Sequence, residues 1–241
     1  VRQAIATPSA RAELRSWPLD DSISHLVMVD VSMVPTAEQV DAWLADAYTG
    51  QDRVSAVRTG ALYPTAAAVF AERGFAVVDR LILLERVLLG PQPRRSSRRS
   101  APARLHRARG RDVATMATID QSAFPAGWRN DAASLGDIAN ATPAARSRLA
   151  RSDNRPVGFA ITGKAGTTGY LQRIAVDPSA QRLGVGRQLV DDAVEWLMRR
   201  GANRALVNTG VDNLAALRMY EQASFDRLDD QLVVLEHRRV A

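Results

Sequence analysis

The chain has 241 residues, 46% hydrophobic and 24% charged, with a formal net charge of +6. That length holds one large domain or two small ones with a proper core, and the composition is that of a soluble globular protein. The absence of cysteine excludes disulfides, thiolate nucleophiles and cysteine-ligated zinc, and His25, His106 and His237 are too scattered for a metal cluster. No apolar run is long enough to cross a bilayer, and no signal-like apolar core follows Arg2 and Arg11. The expectation is a cytoplasmic, metal-free protein.

Residues 1–90 carry Trp43-Leu44 ahead of Gly50, and then Val57, Thr59, Gly60, Ala66, Phe70 and Phe75. Residues 91–102 are rich in arginine, proline and serine and read as an exposed linker. Without interleaved aromatics for base stacking, those arginines give little ground for a nucleic-acid partner. Leu105 to Ala108 suggests a strand, and Asp112 is placed to cap a helix over Val113 to Ala123. Phe124-Pro125-Ala126-Gly127-Trp128 breaks that helix. A short helix near Ala132 to Ala139 follows, then strands near Ala145 to Arg151 and Val157 to Thr162 with a turn at Asp153-Asn154. Tyr170 to Val176 reads as a strand. Leu189, Val190, Ala193, Val194 and Leu197 recur at helical spacing after it. Asn203 to Val207 is a further strand, Asn213 to Ala223 a helix, and Leu232 to Leu235 a last strand. Strand and helix alternate, which gives an α/β or α+β layer architecture with helices flanking a sheet.

Between the Tyr170 strand and the next helix stands Gln181-Arg182-Leu183-Gly184-Val185-Gly186-Arg187. A strand, a glycine-bearing turn and a helix start point several N–H groups one way and add the partial charge of the helix terminus, an arrangement suited to phosphate or pyrophosphate. Two glycines alone would read as a tight turn. With the Val176-Asp177-Pro178 strand end, however, the turn resembles the acetyl-CoA pyrophosphate loop of the GCN5-related N-acetyltransferases (GNAT). Asn213-Leu214-Ala215-Ala216-Leu217-Arg218-Met219-Tyr220 through Phe225 resembles that family's Asn-x-x-Ala-x-x-x-Tyr-x-x-x-Gly-Phe helix, with Ser224 in place of the usual glycine. Phe124-Pro125, Trp128 and Arg173 to Asp177 are most similar to the bacterial enzymes that acetylate the N-terminal alanine of a ribosomal protein.

The resemblance implies a mixed central sheet flanked by helices, acetyl-CoA as co-substrate and a primary amine as acceptor, such as a peptide α-amine or a small molecule, in a direct ternary-complex transfer. It implies that Arg182, Leu183, Gly184, Val185, Gly186 and Arg187 hold pyrophosphate, and that the backbone of Ile174, Ala175 and Val176 pairs with pantetheine. As side chains those three read as core residues. Asn213 reads as a helix cap, to which the resemblance adds a pantetheine contact. Tyr220 reads as an amphipathic core residue, and the resemblance makes it the general acid to the coenzyme A thiolate. Phe124 and Trp128 would line the acceptor pocket. One position departs: Asn208 stands where those enzymes carry a glutamate base, and an amide accepts no proton at neutral pH. A water chain to Asp212 or Glu221, or an amine arriving neutral, is left open. So are a homodimer and a non-catalytic acyl-CoA-binding module.

At a spacing of 150, Val57, Thr59, Gly60, Ala66, Phe70 and Phe75 echo Val207, Thr209, Gly210, Ala216, Tyr220 and Phe225. Residues 1–90 therefore read as a partial, degenerate GNAT-like domain, 91–102 as a linker and 103–241 as the acetyltransferase domain. The degenerate copy has Val34-Pro35-Thr36-Ala37-Glu38-Gln39 in place of the glycine loop, and Phe70 in place of the tyrosine. A tandem arrangement with one inactive half is similar to mycothiol synthase.

Overall fold

The computed structural model describes residues 9–30, 32–89 and 101–239. Most of the expected linker at 91–102 lies outside the described residues. The chain divides into two compact units, Val1–Ile82 with Asp229–Ala241, and Leu83–Leu228.

The first unit begins with β1 (Ala12–Trp17) antiparallel to β2 (Asp20–Met28), continues through α1 (Ala37–Tyr48), β3 (Ala56–Thr59) and α2 (Pro64–Ala71), and contains the start of β4 (Ala76–Val87). β2 and β3 run parallel, from Ile23 opposite Ala56 to Leu26 opposite Thr59. The other edge of β3 is taken by the far strand of the chain, β10 (Asp226–Arg238), with Glu236 opposite Arg58 and His237 opposite Val57. Leu26, Val57, Phe70, Val233 and Leu235 share one core. α1 starts with a reciprocal cap: Thr36 Oγ1 accepts from the Gln39 N–H, and Gln39 Oε1 accepts from the Thr36 N–H. The segment in the position of the glycine loop is thus a helix start that satisfies first-turn donors with its own side chains.

Burial, reinforced by the Arg15 and Arg58 charges, depresses the pKa of His25 to about 4; its ring lies edge-on to Trp17. A histidine pKa below its unfolded value means the unfolded chain binds the extra proton. Stability is therefore full above about pH 6.5 and is lost as pH falls towards 4. We expect a loss of roughly 2 to 3 kcal/mol over that window for this unit. In His25→Gln the part owed to this ring should vanish, which urea unfolding at pH 7 and pH 4.5 would reveal; an identical loss in the variant would acquit His25.

In the second unit β5 (Arg104–Arg107), β6 (Ala144–Ser152), β7 (Arg155–Ala165), β8 (Thr168–Val176) and β9 (Arg204–Gly210) lie in the order β9-β8-β7-β6-β5. All pairings are antiparallel except β8 with β9. The β6–β7 hairpin turns through Asp153 and Asn154, both at positive φ, where their short polar side chains are tolerated. Helices α3 (Val113–Ala123) and α4 (Ala132–Asn140) cover one face, with Met116, Ile119 and Leu135 packed on Leu149, Phe159 and Ile161. On the other face α5 (Val185–Arg199) packs Val185 and Leu189 against Val157 and Ala160. The unit closes with α6 (Leu214–Gln222). This is the expected α/β architecture, a mixed sheet flanked by helices.

Asp112 was expected to cap α3, but its side chain makes no cap bond there. It accepts the Arg109 N–H at 2.8 Å, because a short helical turn at Gly110–Asp112 leads directly into α3. The compact units also divide inside β4 and β10 rather than between residues 90 and 103. The cause is pairing: β10 ladders onto β3, while residues after Leu83 join the second unit, where the Leu88 N–H binds the Asn203 carbonyl and Arg86 binds that of Ala223.

Element positions repeat as well. α2 and α6 begin 150 residues apart, at Pro64 and Leu214, and so do β4 and β10, at Ala76 and Asp226. After each helix the chain passes through a left-handed residue, Gly74 or Ser224, and the next N–H, of Phe75 or Phe225, returns to the carbonyl of Phe70 or Tyr220.

Candidate active site

Two strand ladders create the central feature. β8 stays paired with β7 as far as Val176 opposite Gly158, yet its ladder with β9 covers only Thr168 to Tyr170. From Leu171 onward β8 and β9 diverge, so Ile174, Ala175 and Val176 border a gap in the sheet. Backbone groups facing such a gap must find partners elsewhere, and a ligand carrying amides can supply them. Ala175 is buried in the α3 core, so its side chain packs while its backbone borders the gap.

Asp177 follows β8 and accepts from both the N–H and the hydroxyl of Ser179, contacts that hold its carboxyl below the usual range. Gln181 Nε2 returns to the Val176 carbonyl at 3.1 Å. The chain then turns through Arg182 and Gly184, at φ of 62° and 88°. Left-handed residues entering a right-handed helix bend successive N–H groups into a concave nest. The first intrahelical bond joins the Gln188 N–H to Gly184 O, so the N–H groups of Val185, Gly186 and Arg187 are those the first turn leaves to an outside acceptor. A Cβ on Gly186 would stand 3.0 Å from the Met219 sulfur and 3.6 Å from Val176, which brings α6, the turn and the end of β8 into contact. Leu183 is exposed and Val185 buried.

The Arg187 side chain is held by two neighbours. Its Nε pairs with Asp191 at 2.9 Å and its Nη1 binds the Gln222 carbonyl at 2.8 Å, so its side chain ties α5 to the end of α6 and only its backbone serves the nest. Asn213 caps α6: Oδ1 accepts the Ala216 N–H at 3.2 Å and Nδ2 donates to Thr209 Oγ1 at 3.1 Å. Tyr220 is buried on α6 with its ring 5.8 Å from Phe225. Burial pushes its phenol far above the usual range, against the opposing pull of Arg173. Ser224 sits at φ of 60°, a conformation glycine adopts without strain, which explains why a glycine suits that position. Asn208 is exposed on β9, and Glu221 is engaged with Arg227 at 2.7 Å.

Phe124 and Trp128 bracket the loop after α3. Both are gathered by Arg173, whose guanidinium lies 3.5 Å over the Phe124 ring centroid and donates to the Trp128 carbonyl at 2.7 Å. The same guanidinium binds Asp120, which the sequence reading had not singled out. A signal was present: Asp120 falls on the apolar stripe of α3, one turn after Met116, where a carboxylate needs a buried partner. Among the described residues no group of three or more His, Cys, Asp or Glu could hold a metal ion, and no helix is long and apolar enough to cross a membrane.

An open-edged strand end, a concave turn at a helix start and a buried phenol lie together in this part of the second unit. Residues 113–225 match the model of the Acetyltransferase (GNAT) family. Over 75 residues the chain is 36% identical to the ribosomal protein bS18-alanine N-acetyltransferase of Salmonella typhimurium, covering 31% of this chain and 51% of that one. Over 59 residues it is 39% identical to the mycothiol acetyltransferase of Geodermatophilus obscurus, covering 24% and 19%. The chain thus spans about half the length of the first relative and about a fifth of the second. A GCN5-related N-acetyltransferase from Kribbella flavida superposes with a TM-score of 0.62 at 19% identity, over 96% of this chain and 91% of that one, a likeness of fold alone.

Proposed function

We propose that this protein is an acetyl-CoA-dependent N-acetyltransferase that transfers the acetyl group directly to a primary amine, a peptide or protein α-amine or a small-molecule amine. The observation that carries the reading is the parting of β8 from β9 beside the nest of α5. The pantetheine arm of coenzyme A has amides that fit an open strand edge, and the coenzyme's pyrophosphate fits the first-turn N–H groups. The residues fit the ligand in shape, because the nest is built around Gly184 at positive φ and Gly186 against Met219. In this reading Ile174, Ala175 and Val176 offer backbone groups to the pantetheine arm, Arg182 to Arg187 hold the pyrophosphate, Asn213 orders the start of α6, Tyr220 donates to the departing thiolate, and Phe124 and Trp128 face the acceptor. Residues 1–90 act as a degenerate copy without an acetyl-CoA site.

The relatives' names give two starting points for an acceptor, an alanine of a ribosomal protein and a molecule of the mycothiol type. Release of the CoA thiol on incubation with acetyl-CoA and a panel of primary amines of these kinds tests the reading. Acetyl-CoA binding without thiol release on any amine would favour instead a non-catalytic acyl-CoA-binding module, the reading that Asn208 supports. Gly184→Val should weaken acetyl-CoA binding about tenfold, since a β-branched residue is strained at positive φ by roughly 1 to 2 kcal/mol and the turn would relax out of its nest. Calorimetric titration with unchanged circular dichroism checks this; unaltered affinity would move the pyrophosphate away from the turn.

A further inference from the structure

Arg173 stands one residue before Ile174 in the open-edged part of β8, and its guanidinium serves a single neighbourhood. Nε and Nη2 bind the Asp120 carboxylate at 2.6 and 2.9 Å, Nη2 reaches the Trp128 carbonyl at 2.7 Å, and the guanidinium lies against the Phe124 ring. Asp120 is wholly buried and also accepts the Asn130 N–H at 2.7 Å. The Asn130 amide oxygen, in the orientation its hydrogen-bond network favours, accepts from Arg173 at 3.0 Å. One ion pair therefore grips the loop between α3 and α4 at three points: the ring of Phe124, the carbonyl of Trp128, and the N–H and amide of Asn130.

Packing alone does not require this arrangement. Met116 and Ile119 of α3 already share an apolar core with Phe159 and Ala175, and taking an ion pair out of water costs free energy that an apolar pair would not. What the pair adds is direction. A planar fork with fixed donors sets the direction and register of the loop relative to β8, which non-directional apolar contacts specify less sharply. Arg173 is also the cation that draws down the raised phenol of Tyr220, so its charge is felt at that ring as well as at the loop.

We propose that Arg173, clamped by Asp120, is a positioning residue that fixes the Phe124–Trp128 loop against the reacting end of β8, giving the acceptor amine a preformed wall. The proposal rests on the acetyltransferase reading above. Preorganisation of this kind acts on the acceptor and leaves acetyl-CoA, held by the nest on α5, untouched.

The test pairs steady-state kinetics with hydrogen–deuterium exchange on the full chain. Arg173→Lys keeps the charge but cannot hold Asp120, Trp128 and Asn130 together or lie flat on Phe124. It should raise the acceptor KM about tenfold while the acetyl-CoA dissociation constant stays within about twofold, and amides 124–131 should exchange faster while those of β7 do not change. Asp120→Asn, nearly isosteric, should give the same split at about a third of the size, and serves alone if the first variant does not fold. An acceptor KM that stays put, affinities for both substrates falling together, or a loop whose exchange is unaltered would each overturn the proposal in an active enzyme. No turnover by the unaltered chain with any amine would overturn the acetyltransferase reading and the proposal with it.

Discussion

Tyr220→Phe is expected to lower kcat by about two to four orders of magnitude while acetyl-CoA binding and thermal stability stay near those of the unaltered chain. The phenol is buried, and burial pushes its pKa well up, so the donor keeps its proton throughout the neutral range. A thiol has an ordinary pKa of about 8.5, which would make the phenol a reluctant donor in water. A thiolate withdrawn from water is destabilised as well, which raises its affinity for a proton and offsets the rise that burial gives the phenol. The nearby charge of Arg173 narrows the remaining gap from the phenol side. Phenylalanine keeps the contact with Phe225 and removes only the hydroxyl. Single-turnover thiol release beside calorimetric binding separates the two effects. Undiminished turnover would take Tyr220 out of proton transfer and leave it a packing residue.

Gly169→Val is expected to cost about 3 kcal/mol of stability, visible as a lower urea midpoint at unchanged slope. A Cβ on Gly169 would lie 2.4 Å from Cδ1 and 2.9 Å from Cγ of Leu197, which is fully buried on α5 and has no room to swing aside. β8 and α5 must separate to admit even one carbon, and their separation would also disturb the nest at the other end of α5. Leu197→Ala added to Gly169→Val should restore part of the loss, because the smaller residue vacates the volume that valine needs. A double variant no more stable than the single one would show that the clash lies elsewhere.

The second unit was largely legible from sequence because its local signals agree with one another. Val113 to Ala123 is helical as expected, the Asp153-Asn154 turn joins two strands, and the glycine turn stands between β8 and α5. The site was less legible wherever a side chain had two employers. The Arg187 motif position says nothing of its side-chain partner, and Asp191, one helical turn further along, pairs with it. Asp120 went unnoticed since its partner is far away in sequence and nothing local announces the pairing; only an acid on an apolar stripe hinted at it. The extent of the last strand was underestimated for a related reason. Leu232 to Leu235 are apolar and buried, whereas the strand runs from Asp226 over a stretch that is polar apart from Leu228 and mostly exposed, so hydrophobicity alone marks only its middle.

The pairing of β10 with β3 has a consequence for synthesis. A chain leaving the ribosome presents residues 9–82 first, yet the edge of β3 that β10 occupies, and the places of Val233 and Leu235 in the first core, stay vacant until residues 229–238 emerge. Residues 83–228 of the second unit all appear before then. Although domains generally complete in the order of translation, here the unit begun before the second one is completed after it, and the β3 edge stays exposed while residues 83–228 are made.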